Sequence, residues 1–196
     1  MKLGIFGGTF DPPHIGHLIV ADDAMAALGL DRILFVPAGT HPLKGDKVAA
    51  PTHLRLRMIR AAVGDAERFA VDDREIRRVG PSYTVDTLAE LEEEHPGSEL
   101  YLLVGSDIMN EIHRWHRVRE IAARARIAVM SRAGAPKATP SVAGLQTIRV
   151  EVTHVAISSS EIRERVTAGR PFRYLVPEGV YEIIAEHALY RKQRSD

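Results

Sequence analysis

Short apolar runs rich in β-branched residues alternate with stretches of helical period along the whole chain. Six of these runs are strand candidates: Lys2–Phe6, Arg32–Val36, Phe69–Val71, Glu99–Val104, Arg126–Met130 and Thr147–Val150. Most of them are apolar on both faces, which is typical of parallel strands buried between two layers of helices. The alternation therefore predicts an α/β fold with a doubly wound, mostly parallel sheet.

Five helices are predicted from apolar residues at helical spacing. They span Gly16–Leu28, Pro51–Val63, Ser82 or Thr84 to about Glu94, Ser158–Ala168 and Pro177–Leu189. Gly29 stands where the first helix needs a left-handed C-cap. The segment Ala133–Gly144, rich in Ala, Pro and Gly, is predicted to be a surface loop. Because the chain has neither repeats nor a long linker, residues 1–196 are predicted to form one domain, with the helices from about residue 158 packed on it.

The composition excludes several classes of protein. The 196 residues include no cysteine, so disulfide scaffolds, thiolate metal sites and cysteine nucleophiles are ruled out. The 26 basic and 26 acidic residues balance, which gives no support to bulk binding of nucleic acid or an anionic membrane. The first apolar stretch ends at glycines, so neither a signal peptide nor a spanning helix is predicted. We expect a cytoplasmic protein that binds anions locally. The sequence leaves self-association into a homo-oligomer open.

The turn between the first strand and the first helix carries the strongest chemical signal. Gly7 and Gly8 let backbone N–H groups approach a phosphate, and Gly16 lets the helix begin close to it. His14 and His17, three residues apart at the helix start, can face one anion, although the sequence does not fix their charge. Two other interpretations are a capping histidine beside a packed one, and a zinc pair, for which no third ligand at suitable spacing is evident. The other such pair, His113 and His116, lacks a glycine loop and is interpreted as a surface feature.

Two segments carry a resemblance to a known superfamily. Gly7–Leu18 resembles the His-x-Gly-His signature of the nucleotidylyltransferases, which class I aminoacyl-tRNA synthetases share. A synthetase is set aside because the chain is too short for an anticodon domain and lacks the second, lysine-rich motif. Ile157-Ser158-Ser159-Ser160-Glu161-Ile162-Arg163 resembles the second nucleotidylyltransferase signature, with Ser160 in place of the more usual threonine. The resemblance implies a Rossmann-like nucleotidylyltransferase fold.

The middle of the chain is similar to the bacterial nicotinate-nucleotide adenylyltransferases within that superfamily. The similar segments are Arg78–Leu88, Gly105–Asp107, Trp115, Ser131-Arg132 and Tyr174–Pro177. The resemblance implies transfer of an adenylyl group from ATP to nicotinate mononucleotide in NAD biosynthesis, with Mg²⁺ accompanying ATP and no metal ligand from the protein. A flat ring with a carboxylate suits stacking on Trp115 and capture by the helix that starts near Tyr83 and Thr84. In a nicotinamide nucleotide, the NH₂ donor of the amide would face the N–H donors of that helix start. The acid is therefore the expected substrate.

The resemblance assigns residues to three groups. The catalytic group at the triphosphate comprises His14, His17, Lys44 and Arg163. The ATP-binding group comprises Gly7, Gly8, Thr9, Phe10, Gly16, Ile157, Ser158, Ser159 and Ser160. The substrate-binding group comprises Ser82, Tyr83, Thr84, Gly105, Asp107, Trp115 and Arg132.

One departure and several alternatives accompany this interpretation. The family's Pro-Pro-His-Lys loop reads His41-Pro42-Leu43-Lys44 here, so the lysine is kept and no role is transferred to His41. The alternative enzymes are adenylyltransferases for nicotinamide mononucleotide or phosphopantetheine and a glycerol-phosphate cytidylyltransferase. The alternative outside catalysis is a nucleotide sensor that binds without turnover. Simple capping by Ser82–Thr84 or the serines, a half-buried Trp115 and a solvated Lys44 are the structural alternatives for single residues.

Overall fold

A six-stranded parallel sheet forms the centre of the computed structural model, which describes residues 1–40, 48–132, 134–135 and 139–191. Its strands are β1 (Lys2–Gly8), β2 (Arg32–Pro37), β3 (Phe69–Val71), β4 (Glu99–Gly105), β5 (Arg126–Arg132) and β6 (Thr147–Val152). The order across the sheet is β3-β2-β1-β4-β5-β6, and every neighbouring pair is parallel. All six predicted strands are confirmed. Five extend one or two residues beyond the predicted end, because ladder pairing continues through glycine and polar residues that end an apolar run, as at Gly8 opposite Pro37.

Helices connect the strands and follow the last one. They are α1 (Ile15–Leu28), α2 (Thr52–Val63), α3 (Arg74–Arg77), α4 (Thr84–Glu94), α5 (Val118–Arg124), α6 (Ser159–Thr167) and α7 (Glu178–Glu186). Short 3₁₀ helices cover Ser106–Asn110, Ile112–Arg114 and Arg173–Leu175. The five predicted helices are confirmed, including the left-handed C-cap at Gly29 with φ 61°. The prediction omitted α3, α5 and the 3₁₀ turns, since elements of three to seven residues are too short to show a period.

Alternate residues of β1 to β5 face two different hydrophobic cores, as in a doubly wound sheet, whereas β6 packs on one core and exposes Arg149 and Glu151 on its other face. In β4, Tyr101 and Leu103 face the core formed with α1, α2, α6 and α7, whereas Leu100 and Leu102 face the core formed with α4 and α5. The side chains on both faces are nearly all withdrawn from water. The predicted α/β class and doubly wound arrangement are confirmed.

The strand order reverses between β1 and β4, which lie side by side although β2 and β3 come between them in sequence. In open α/β sheets, ligands bind at the carboxyl ends of the strands where the order reverses. We call this place the switch point: the carboxyl ends of β1 and β4 with the loops that follow them. No helix within the described ranges is long and apolar enough to cross a membrane.

Candidate active site

The loop after β1 turns sharply at the switch point. Phe10 adopts the left-handed region with φ 49°, and the Asp11–Pro12 peptide bond is cis. The Phe10 ring is buried, with its centroid 5.9 Å from that of Phe6 and 5.2 Å from that of His17. Gly7 is exposed, and Gly8 and Thr9 are half-buried. Of the loop residues predicted to bind ATP, the two glycines and Thr9 therefore keep accessible backbone, while the Phe10 side chain anchors the loop in the core.

The two predicted catalytic histidines lie together at the start of α1. Their rings are stacked with centroids 3.7 Å apart. The His14 backbone N–H donates to His17 Nδ1 at 3.1 Å. Because His17 Nδ1 is an acceptor, neutral His17 carries its proton on Nε2 and is a hydrogen-bond donor through that atom.

His14 is the N-cap residue of α1 and is 7% exposed. Burial lowers the pKa of His14 from 6.5 to about 4, so the imidazole is neutral at pH 7. Its buried Nδ1 has no hydrogen-bond partner among the described residues. A Cβ on Gly16 would stand 3.0 Å from that Nδ1, which explains why glycine suits this position. The charge of His14, which the sequence left open, is thus decided by burial in the unliganded protein.

The second signature forms the beginning of α6. Ser158 is the N-cap, and its hydroxyl accepts from the Glu161 N–H at 3.1 Å, a contact typically worth about 1 kcal/mol. The Ser159 hydroxyl donates to the Pro12 carbonyl at 2.8 Å. Arg163 donates to the Ser160 hydroxyl at 3.2 Å. The three serine hydroxyls are therefore engaged in holding the turn, and Ile157 is half-buried against the core beside them.

The two signatures meet although they are far apart in sequence. Arg163 Nη1 donates to the Asp11 carbonyl at 2.7 Å, which places its guanidinium against the loop that precedes α1. The Ser159–Pro12 contact brings the first turn of α6 to the same loop. The first N–H groups of each helix have no carbonyl within their own helix to donate to. The first turns of α1 and α6 thus bring two positive dipole ends to one place, which is suited to an anion.

A second group of predicted residues lies at the beginning of α4. Tyr83 is its N-cap residue and Thr84 its first residue, and both are half-buried. The Tyr83 ring is 4.5 Å from the ring of His116, while Trp115 packs on the same core as Tyr83. The structure therefore brings Tyr83, Thr84 and Trp115 to one region. It also shows that His116, interpreted from sequence as a surface feature, is exposed, while its ring lies against the Tyr83 ring at an interplanar angle of 34°.

Ser82 ties the beginning of α4 to the loop after β2. Its buried hydroxyl accepts from the Gly39 N–H at 3.0 Å, and its N–H donates to the Thr40 carbonyl at 2.9 Å. Gly39 has no room for a side chain, because a Cβ there would lie 2.2 Å from the Glu75 carbonyl oxygen. Glu75 is buried, which raises the pKa of its carboxyl group, and it accepts from the Thr87 hydroxyl at 2.7 Å. Through these two hydrogen bonds, Ser82 joins the beginning of α4 to the loop that contains Gly39 and Thr40.

The remaining predicted substrate residues follow β4 and β5. Gly105 ends β4, and the Asp107 carboxylate folds back over it, with Oδ1 2.5 Å from where a Gly105 Cβ would stand. Arg132 is exposed at the end of β5. All three lie at the carboxyl edge of the sheet, as predicted. Lys44 falls outside the described residues, as do His41 and Leu43.

Three residues that the sequence analysis did not assign support the signature loop. Asp11 is 3% exposed, and its carboxylate accepts from the Ala49 N–H at 2.7 Å and from the Tyr190 hydroxyl at 2.7 Å. Arg55 is 1% exposed and donates to the Thr9 carbonyl at 2.8 Å. Burial lowers the pKa of Arg55, and the charge of Asp11 opposes that change. One signal was available: Arg55 stands on the apolar stripe of α2 with Ile59 and Ala62, where a lone arginine needs buried acceptors.

Within the part of the chain that the structure describes, no three His, Asp or Glu side chains are grouped to hold a metal ion. The buried carboxylate of Asp11, in the same loop, already accepts three hydrogen bonds. The described side chains therefore do not form a metal cage at the switch point.

Comparisons with known proteins agree with this geometry. Residues 5–165 match the family model described as cytidylyltransferase-like. A protein of Geobacillus thermodenitrificans named "Probable nicotinate-nucleotide adenylyltransferase" is 44% identical over 194 residues, covering 99% of this chain and 88% of that protein. A protein of Roseiflexus sp. with the same name is 44% identical and covers 96% of this chain and 98% of its own length.

A solved structure gives the same fold at lower sequence similarity. The Plasmodium falciparum nicotinic acid mononucleotide adenylyltransferase, complexed with NaAD, matches with a TM-score of 0.77 and 21% identity. The match covers 96% of this chain and 97% of that one. The identity and coverage of the bacterial relatives decide the family. The chain belongs to the cytidylyltransferase-like family and, within it, to the nicotinate-nucleotide adenylyltransferases.

Proposed function

We propose that this protein transfers the adenylyl group of ATP to nicotinate mononucleotide, giving nicotinate adenine dinucleotide and pyrophosphate. The observation that carries the proposal is the 2.7 Å contact between Arg163 Nη1 and the Asp11 carbonyl. It unites the two signature segments into one anion-binding surface with the stacked histidines. The family membership of the chain supports the same reaction.

In the proposed reaction, the protein forms no covalent bond with either substrate. A 5′-phosphate oxygen of the mononucleotide attacks the α-phosphorus of ATP, a P–O bond forms there, and the bond to the leaving pyrophosphate breaks. Catalysis then depends on holding the two phosphates in line and on neutralising the charge that develops on the pyrophosphate. Arg163 supplies a fixed positive charge, and His17 supplies the Nε2 donor that its Nδ1 contact specifies. We assign Lys44 to the same triphosphate on the sequence alone.

His14 has a different part in this proposal, because it is neutral before ATP binds. A triphosphate beside the imidazole favours the charged form and opposes the desolvation that depresses its pKa. The protonated imidazole carries a proton on each ring nitrogen and would then donate to a phosphate oxygen from its accessible edge. Binding of ATP and protonation of His14 are thereby coupled, so the positive charge arises where the ligand needs it.

The mononucleotide would bind at the region of Tyr83, Thr84 and Trp115. The first N–H groups of α4 have no helical acceptor, and the positive end of the helix dipole lies there, so a carboxylate is favoured. The Trp115 ring is half-buried and offers an aromatic face to an electron-poor ring. These features support the acid over the amide as substrate. We further assign Gly105, Asp107 and Arg132 to contacts with the mononucleotide, as their place at the sheet edge suggests.

Magnesium would arrive with the nucleotide. The described side chains offer no cage for it, so phosphate oxygens and water are the ligands we propose, and no step is assigned through the metal. We also propose that residues 1–196 act as one domain in the cytoplasm. The packing of α6 and α7 on the core of the sheet supports a single domain.

Pyrophosphate release from ATP and Mg²⁺ with a panel of acceptors tests the proposal. Nicotinate mononucleotide should support release best, ahead of nicotinamide mononucleotide, phosphopantetheine and glycerol phosphate. Release only with another acceptor would replace the proposed substrate. Binding of ATP without release for any acceptor would indicate a nucleotide sensor.

The variant His17→Ala tests the catalytic role. Removing a preorganised donor to developing charge should lower kcat by roughly 10²-fold. The matched control is His95→Ala, which removes the histidine that follows the far end of α4 and should leave kcat unchanged. Wild-type turnover in folded His17→Ala protein would contradict the assignment.

A further inference from the structure

Tyr190 reaches the signature loop from the segment that follows α7. The backbone accepts two uncommon conformations to bring it there, since Ala188 has φ 48° and Tyr190 has φ 61°. Non-glycine residues adopt this left-handed region at a cost, and they keep it where the surrounding contacts fix them. The Thr167 hydroxyl, on the last turn of α6, donates to the Tyr190 carbonyl at 2.7 Å and holds that backbone in place.

The Tyr190 hydroxyl donates to Asp11 Oδ1 at 2.7 Å. Burial, together with the neighbouring Asp11 carboxylate, raises the pKa of the Tyr190 phenol, so it remains a protonated donor throughout the neutral range. The same carboxylate also accepts from the Ala49 N–H at 2.7 Å and from the Ala50 N–H at 3.1 Å. With three donors and 3% exposure, the Asp11 side chain has a holding role and no free face for a ligand.

The backbone of Asp11 faces the proposed triphosphate site instead. Its carbonyl accepts from Arg163 Nη1 at 2.7 Å. Among the described residues, the other hydrogen bond of that guanidinium goes to the Ser160 hydroxyl at 3.2 Å, on its own helix. The position of the Arg163 charge relative to α1 therefore depends on where Asp11 is held.

We infer that Tyr190 is a positioning residue of the triphosphate site: its phenol fixes the Asp11 carboxylate, and the Asp11 carbonyl fixes the Arg163 guanidinium. The inference rests on the proposed function for its meaning in catalysis. It adds a contribution from the segment after α7, which neither signature contains. Tyr190 acts through Asp11 and Arg163 and needs no contact with substrate.

The variant Tyr190→Phe removes only the hydroxyl. The Kd of a non-hydrolysable α,β-methylene analogue of ATP with Mg²⁺, measured by calorimetry, should rise roughly tenfold, the scale of one lost hydrogen bond to a charged group. The KM for ATP should rise with it, while the KM for nicotinate mononucleotide stays unchanged. The matched control is Tyr181→Phe, because the Tyr181 hydroxyl makes no hydrogen bond to any described residue, and it should leave both constants unchanged. An unchanged analogue Kd in Tyr190→Phe would overturn the inference.

A double-mutant cycle separates positioning from general loosening of the structure. If Tyr190 acts through Arg163, Tyr190→Phe should change the analogue Kd by less than about twofold in an Arg163→Gln background. The same tenfold change in both backgrounds would mean that Tyr190 acts by another route, and the inference would be wrong. The analogue reports on the Tyr190 contact without turnover, so a wild-type protein that fails to use nicotinate mononucleotide would refute the proposed function alone.

A second variant keeps the test decisive if Tyr190→Phe does not fold. Thr167→Ala removes the exposed hydroxyl that contacts the Tyr190 carbonyl at 2.7 Å and the Arg163 carbonyl of its own helix at 2.9 Å, and it leaves the phenol in place. The analogue Kd should rise by about two- to threefold, in the same direction. An unchanged Kd in this variant would count against the inference.

Discussion

Replacing His14 by glutamine should remove a large part of the acid sensitivity of this protein. Glutamine fills a similar volume and does not titrate. The His14 imidazole has a pKa of about 4 in the folded protein against 6.5 for the free side chain. Between those two values the unfolded chain binds a proton that the folded protein does not, so this residue makes the free energy of unfolding fall as pH decreases.

The size of the effect follows from the shift. Above pH 6.5 His14 causes no loss in the free energy of unfolding. The loss grows as the pH falls from 6.5 to about 4. At about pH 4.5 the loss amounts to about 2.5 kcal/mol, which is a sizeable share of the stability of an ordinary domain. His14 is 7% exposed, so solvent screening does not reduce this figure greatly.

Urea unfolding at about pH 7.5 and about pH 4.5 measures the difference. Between the two conditions, the free energy of unfolding of the wild-type protein should fall by about 2.5 kcal/mol more than that of His14→Gln. The control His154→Gln removes an exposed histidine and should lose as much as the wild type. An equal loss in wild type and His14→Gln would refute the idea that His14 is buried in its neutral form.

Two further substitutions test other parts of the structure. Trp115→Ala should raise the KM for nicotinate mononucleotide by about tenfold, as expected when an aromatic stacking partner is lost. An equal rise in the KM for ATP, measured by steady-state kinetics, would argue against the stacking role. Gly39→Ala places a Cβ 2.2 Å from the Glu75 carbonyl oxygen and should lower the free energy of unfolding by about 2 to 3 kcal/mol in urea titrations. The control Gly7→Ala, whose Cβ would meet nothing within 4 Å, should change it by less than about 1 kcal/mol, and similar losses in both would contradict the steric explanation.

Most of the sheet could be predicted from sequence because β1, β2, β4 and β5 are buried on both faces and are therefore apolar runs. The half-buried β3 is a short apolar run as well, whereas β6 alternates apolar residues with the exposed Arg149 and Glu151. The short elements between Ser106 and Arg124 were missed for the opposite reason. They are too short to show a period, and α5 follows a left-handed Arg117 with φ 54°, a conformation that the sequence does not indicate.

The two signatures could be identified because each is a local pattern, but their supporting contacts are not local. Tyr190 lies 179 positions from Asp11, and neither residue alone suggests the other. The ring that contacts His116 belongs to Tyr83, which is distant in sequence, so the sequence neighbours of His116 gave no signal of this contact. The neutral state of His14 depends on burial, which only the folded chain defines.

The Asp11–Tyr190 contact also orders events during synthesis of the protein on the ribosome. The signature loop is synthesised before α6 and α7, and so are β1, β2 and β3 with α1 and α2. Asp11 cannot receive the Tyr190 phenol until the ribosome has added a further 179 residues. The proposed triphosphate site is thus completed by a residue translated long after its own loop, and a nascent chain that stops before Tyr190 lacks the contact that fixes Arg163 through Asp11.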